Sequence, residues 1–201
     1  MEAFKTHWRT IALSLVSLAA VLLVVVRFFV FMVVSVNDGG MRPELFDGDR
    51  VLVDRTVLDV EVGQLVVFSV DDQFYIRRVV ATPGQQIGVE NGVVILNGIR
   101  ADIQPVEGGS PENCRLVTES LGFDSHRVCL GEGKGQSVAS RPLVEGQYYV
   151  LCDHRADCAA DSRDFGPVRR GAIRGRVTHA MERAGSEPSL IQRLLGLWEE
   201  L

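Results

Sequence analysis

The residue types able to do chemistry in this chain concentrate in one short stretch, Cys152-Asp153-His154-Arg155, followed by Cys158 and by Asp161-Ser162-Arg163. His154 with Ser162, or with a cysteine, could form a nucleophile and base pair in which the imidazole takes the hydroxyl or thiol proton. Cys152, His154 and Cys158 are also the right donor types for zinc. They lack the paired short spacings of zinc modules, so no metal and no other cofactor is expected. Lysine-based chemistry has little to draw on, because the only lysines are Lys5 and Lys134. Four cysteines, Cys114, Cys129, Cys152 and Cys158, allow three disulfide pairings; proximity in sequence favours Cys114 with Cys129 and Cys152 with Cys158.

The elements that must position these residues begin with an uncharged apolar run, Ile11 to Val26, followed by Arg27 and a second run from Phe28 to Val36. A spanning helix needs about 20 apolar residues, and Thr10 with the snorkelling stem of Arg27 makes up the difference. One transmembrane anchor over residues 9–27 is therefore expected, after a cytoplasmic N-terminus at residues 1–8. A cleaved export signal is the rival, but the run exceeds the length of a signal core and no small-residue cleavage pattern follows it. Lys5 and Arg9 precede the span, which places the rest of the chain outside the cytoplasm, where disulfides are permitted.

From residue 50 onward, short apolar runs alternate with turn signals: Arg50–Asp54, Gln64–Val70, Phe74–Ala81, Val93–Leu96, Gln147–Cys152 and Ile173–Ala180. These predict a mainly β domain over residues 28–184. Asn91-Gly92 and Asn97-Gly98 predict tight hairpin turns, since both residue types tolerate positive φ. Glu107–Asn113 and Gly131–Ser140 read as exposed loops. Residues 185–201 predict a short amphipathic helix capped by Ser186, with Leu190, Ile191, Leu194, Leu195, Trp198 and Leu201 on one face; it would pack on its own domain, a membrane surface or a protein partner. The net charge is −5 and the arginines are scattered, which gives no basic patch and excludes a nucleic-acid partner.

Four segments in order resemble the type I signal peptidases. Asp38-Gly39-Gly40-Met41-Arg42-Pro43-Glu44-Leu45 with Gly48-Asp49 stands against that family's S-x-S-M-x-P-T-L-x-x-G-D. Phe74-Tyr75-Ile76-Arg77-Arg78-Val79-Val80-Ala81-Thr82-Pro83-Gly84 resembles Y-I-K-R-V-V-G-x-P-G-D. Glu119-Ser120-Leu121-Gly122, with His126 downstream, is similar to E-x-L-G. Cys152-Asp153-His154-Arg155 and Asp161-Ser162-Arg163 stand against G-D-N-R and D-S-R, with one additional residue between the two halves. The resemblance implies a signal-peptidase-like β domain behind one anchor, in the plasma membrane of a bacterium with the main domain periplasmic.

It also implies a serine nucleophile activated by a lysine kept neutral by burial, and here the chain departs from the family. The nucleophile position is Gly40, which has no side chain. The base position is Arg77, whose guanidinium does not give up its proton in proteins. The position of the serine hydroxyl that helps hold the oxyanion is Asp38, a carboxylate that repels developing negative charge. A charge at Arg77 in a formerly apolar pocket needs a partner, so an Asp38–Arg77 ion pair within roughly 4 Å is expected. The resemblance further implies that Arg78 pairs with Asp153 and Asp161 with Arg163 as braces, and that Met41 and Pro43 shape the segment entering the cleft.

The expected function is a non-catalytic, membrane-anchored protein that binds or helps assemble exported proteins, taking extended peptide or signal segments along a strand edge. The rivals are an active serine endopeptidase working through His154 and Ser162, and a structural subunit docked on a partner through its tail helix.

Overall fold

The computed structural model describes residues 2–25, 29–57, 59–107, 114–122, 124–131 and 136–181. Helix α1 spans Glu2–Val25. From Ile11 to Val25 its side chains are exposed and almost all apolar. This differs from the anchor expected over residues 9–27: among the described residues no helix is long and apolar enough to cross a membrane. The exposed stretch from Ile11 is about 22 Å long at 1.5 Å per residue, short of a hydrocarbon core of about 30 Å. The helix expected over 185–201 lies outside the described residues.

The remainder is mainly β, as the alternation of apolar runs and turns predicts. One seven-stranded sheet is built from β1 (Phe31–Ser35), β2 (Arg50–Asp54), β3 (Leu65–Val70), β4 (Gln73–Ala81), β12 (Gln147–Leu151), β13 (Val168–Arg169) and β14 (Ile173–Met181), in the spatial order β1-β2-β14-β3-β4-β12-β13. A four-stranded sheet joins β5 (Gln86–Glu90), β6 (Val93–Leu96), β7 (Ile99–Arg100) and β11 (Val138–Pro142). A three-stranded sheet joins β8 (Asp102–Pro105), β9 (Cys114–Leu121) and β10 (Asp124–Gly131). Asn91 and Asn97 take φ of 50° and 52°, each followed by a glycine at 80°, which closes the two expected hairpins. The expected loop over Gly131–Ser140 is corrected at both ends, because Gly131 closes β10 and Val138 opens β11.

Valines dominate the strand interiors, where β-branched side chains fit the pleated surface. One buried cluster lies directly beneath the resemblance segment and contains Val36, Met41, Leu45, Val51, Val53, Val67 and Ile76. Met41 is 0% exposed, so it is a core residue and not a wall of the cleft. Pro43 is half-buried on the turn after it.

Gly175 marks the tightest place in the large sheet. A Cβ there would come within 2.5 Å of the Asp54 carbonyl oxygen and 2.6 Å of Val53 Cγ1, beside a register irregularity between β14 and β3. Backbone cannot yield as a side-chain tip can. Gly175→Ala is expected to lower stability by about 1–3 kcal/mol, the usual range for overpacking. The change should appear as a lower urea midpoint at unchanged slope.

Candidate functional site

The turn after β1 carries Asp38 and Gly40, β4 carries Arg77 and Arg78, and the segment after β12 carries Cys152 through Asp161 into helix α2 (Ser162–Phe165). Successive residues of a strand face opposite ways. Arg77 and Arg78, both buried, accordingly meet different carboxylates on the two sides of β4.

Arg77 is 0% exposed and holds Asp38 with two parallel bonds: Nη2 donates to Oδ2 at 2.9 Å and Nη1 to Oδ1 at 3.2 Å. The ion pair expected from sequence is thus formed, within the 4 Å limit. Arg77 also donates from Nε to the Ala160 carbonyl at 2.9 Å and from Nη1 to the Ile76 carbonyl at 2.7 Å, while its guanidinium lies 5.3 Å from the Tyr75 ring centre. A guanidinium held by two backbone carbonyls and a bidentate carboxylate is fixed and fully charged.

Gly40 closes the other half of the site. Its amide N–H donates to Asp38 Oδ1 at 2.9 Å, so a backbone donor that acyl-transfer chemistry would aim at an oxyanion is already committed to a carboxylate. Its carbonyl accepts from the His154 amide at 2.9 Å. The space above Gly40 is filled: a Cβ there would lie 2.9 Å from Cys152 Sγ, 3.0 Å from Asp38 Oδ1 and 3.4 Å from Arg77 Cζ. Cys152 stands where the resemblance has a glycine. A side chain has in effect been moved across the gap, from the turn after β1 to the segment facing it.

The cysteines are paired as proximity favoured, Cys114 with Cys129 and Cys152 with Cys158. Among the described residues, two groups could bring metal-binding atoms together, Cys114 with Cys129 and His154, and Cys152 with Cys158 and Asp161. In both, the sulfurs are engaged in a disulfide and offer no thiolate to an ion.

Among the described residues, no hydrogen bond links His154 to Ser162. Ser162 is 2% exposed and its Oγ accepts from the Val150 amide at 3.0 Å. His154 Nδ1 accepts from the Asp157 amide at 3.0 Å, which turns that ring edge to its own loop. Tyr149 offers no base either, since burial and then the Asp161 charge push its phenol up to about 12.

The braces are all present. Arg78 holds Asp153 through Nε at 2.9 Å and Nη2 at 2.6 Å, and donates to the Gly63 carbonyl. Arg163 Nη2 reaches Asp161 Oδ2 at 2.9 Å, while Asp161 caps α2 and accepts from the Cys152 amide at 3.1 Å. A cavity of about 630 Å³ lined by Gly63, Gln85, Leu121 and Asp124 opens near this side and does not reach Gly40.

Sequence reasoning missed the third brace. Arg155 and Glu119, each about 1% exposed at the side chain, form a buried bidentate pair, and Arg155 also donates to the Gly92 carbonyl. His126 Nε2 stands 3.5 Å from Glu119, at ion-pair range but without a hydrogen bond, and its Nδ1 lies 3.0 Å from Asp124. The E-x-L-G likeness flagged Glu119 and His126, but nothing local named Arg155 as the partner.

Residues 8–181 match the family described as signal peptidase, peptidase S26. Signal peptidase I S of Bacillus subtilis strain 168 is 27% identical over 150 residues, covering 73% of this chain and 74% of that protein. Signal peptidase IB of Staphylococcus aureus strain COL is 27% identical over 167 residues, covering 81% and 84%. A crystal structure of a signal peptidase I from Enterococcus faecalis V583 aligns with a TM-score of 0.39 at 18% identity, over 61% of this chain and 100% of that one. With the family match running through the turn at Gly40, the strand at Arg77 and the segment at Cys152, the chain belongs to the signal peptidases of the S26 family.

Proposed function

We propose that this chain is a non-catalytic member of its family that binds extended or signal segments of exported proteins and assists their handling. One observation carries the reading: the base position is a fully buried arginine locked to Asp38 beside a glycine at the nucleophile position. Gly40 brings no side chain that could attack a carbonyl, and the Arg77 guanidinium accepts no proton. The surrounding frame is braced by three buried charge pairs, Arg78–Asp153, Arg155–Glu119 and Arg163–Asp161.

Membrane placement belongs to the same proposal. The exposed apolar face of α1 supports attachment to a bilayer, and two disulfides suit an oxidising compartment outside the cytoplasm. The periplasmic side of a bacterial plasma membrane is the setting proposed.

The test uses the full chain reconstituted with lipid vesicles. On flotation, protein and a synthetic signal peptide should rise together with the vesicles, and a secreted precursor incubated with them should stay intact over many hours. Protein left at the bottom of the gradient would remove the membrane placement. Precursor cleavage abolished by His154→Ala or Ser162→Ala would instead establish the endopeptidase reading.

A further inference from the structure

One sulfur of the Cys152–Cys158 bridge, Cys152 Sγ, now borders the space in which the family's nucleophile would stand, and the proposed binding role makes no use of the bridge. Cys152 is 0% exposed while Cys158, six residues on, is half-buried and reachable. Cys152 Sγ, Asp38 Oδ1 and Arg77 Cζ border one point, 2.9 Å, 3.0 Å and 3.4 Å from a Cβ placed on Gly40, so the Asp38–Arg77 ion pair sits beside the buried sulfur. Asp161 Oδ2 lies 3.3 Å from Cys158 Sγ, with its charge shared by Arg163.

This arrangement is asymmetric in the sense that thiol–disulfide exchange requires, with one accessible sulfur to be attacked and one enclosed sulfur to leave. The second disulfide, Cys114–Cys129, differs: both residues are 1% exposed and the bridge ties β9 to β10.

We infer that Cys152–Cys158 is a thiol–disulfide exchange site, acting on polypeptides that carry a pair of cysteines. The client thiolate attacks Cys158 Sγ, the Cys152–Cys158 bond breaks, and Cys152 leaves as a thiolate beside Arg77. The client is then joined to Cys158 by a mixed disulfide. Its second thiol attacks its own bonded sulfur, releasing Cys158, so the client dithiol is oxidised to a disulfide and the protein disulfide is reduced to a dithiol. The protons lost by the client balance those taken up by Cys152 and Cys158. Ala160, whose carbonyl holds Arg77, lies just beyond Cys158, so opening the bond also loosens the loop that fixes the ion pair.

Glutathione serves as the probe. The folded full chain is equilibrated across reduced-to-oxidised glutathione ratios, alkylated, and read by mass spectrometry, with circular dichroism recorded at each ratio. Cys152–Cys158 is expected to open at a ratio at least tenfold less reducing than Cys114–Cys129, with the β signal retained. Cys152→Ser is expected to accumulate a stable glutathione adduct on Cys158. Opening of both bridges only together with loss of the β signal would overturn the inference, as would an adduct confined to Cys152 in Cys158→Ser. If Cys152→Ser does not fold, the titration of the unaltered chain decides alone.

Discussion

Three substitutions that restore the family residues, Asp38→Ser, Gly40→Ser and Arg77→Lys, will leave the protein inactive, whereas the same three combined with Cys152→Gly and Cys158→Ser will cleave a secreted precursor. Removing Asp38 and the guanidinium takes two charges out of the pocket, and a lysine enclosed there is driven toward the neutral amine that a base requires. The serine still has nowhere to stand, since its Cβ would lie 2.9 Å from Cys152 Sγ. That sulfur cannot swing aside while bonded to Cys158. Replacing Cys152 by glycine vacates the space, and Cys158→Ser avoids a stranded thiol. Both variants carry the lysine and differ only in room for the serine, so cleavage is expected from the five-fold variant and none from the three-fold one. Product mass fixes the cleavage site, and circular dichroism checks that both variants are folded. Equal activity in the two would mean the disulfide is no obstacle. Silence in both would mean the groove no longer presents a scissile bond.

The contrast between those variants marks where sequence reading stops. The turns at Asn91-Gly92 and Asn97-Gly98 could be read directly because the residue types that tolerate positive φ are few. The turn between β3 and β4 uses Asp71 and Asp72, at φ of 48° and 61°, without a glycine to announce it. Strands β9 and β10 are not legible in the sequence because buried polar residues, Glu119 and His126, interrupt the apolar alternation. The Asp38–Arg77 pair could be anticipated because a buried guanidinium demands an acid and the family order placed one nearby. The exchange of side chains between Gly40 and Cys152 could not, since it depends on two distant segments facing each other at van der Waals range. The motif places Met41 beside Gly40 as a residue that shapes the segment entering the cleft, and the turn directs its side chain into the core. The segment assigned as an anchor illustrates a different limit, in that hydropathy located the helix while its described apolar length falls short of a span.

The largest pH effect is expected from Glu119. Burial raises the pKa of its carboxyl, but the charges of Arg155 and His126 outweigh that and hold it at about 2, against 4.5 ordinarily. A carboxylate with a lowered folded pKa contributes stability that is fully present above about 4.5 and is lost as the pH falls through about 2. At 1.36 kcal/mol per unit this amounts to about 3 kcal/mol lost across that window, read as the urea midpoint at successive pH values. Glu119→Gln should flatten that limb. Arg155→Met should do more. At neutral pH it leaves Glu119 charged and buried with its main partner gone, at a cost of about 3–5 kcal/mol. Burial then dominates, the carboxyl is pushed upward instead of down, and acidification neutralises it and recovers stability, so the acid limb reverses sign. A variant whose acid limb still falls as steeply as that of the unaltered protein would show that His126, and not Arg155, holds the buried charge.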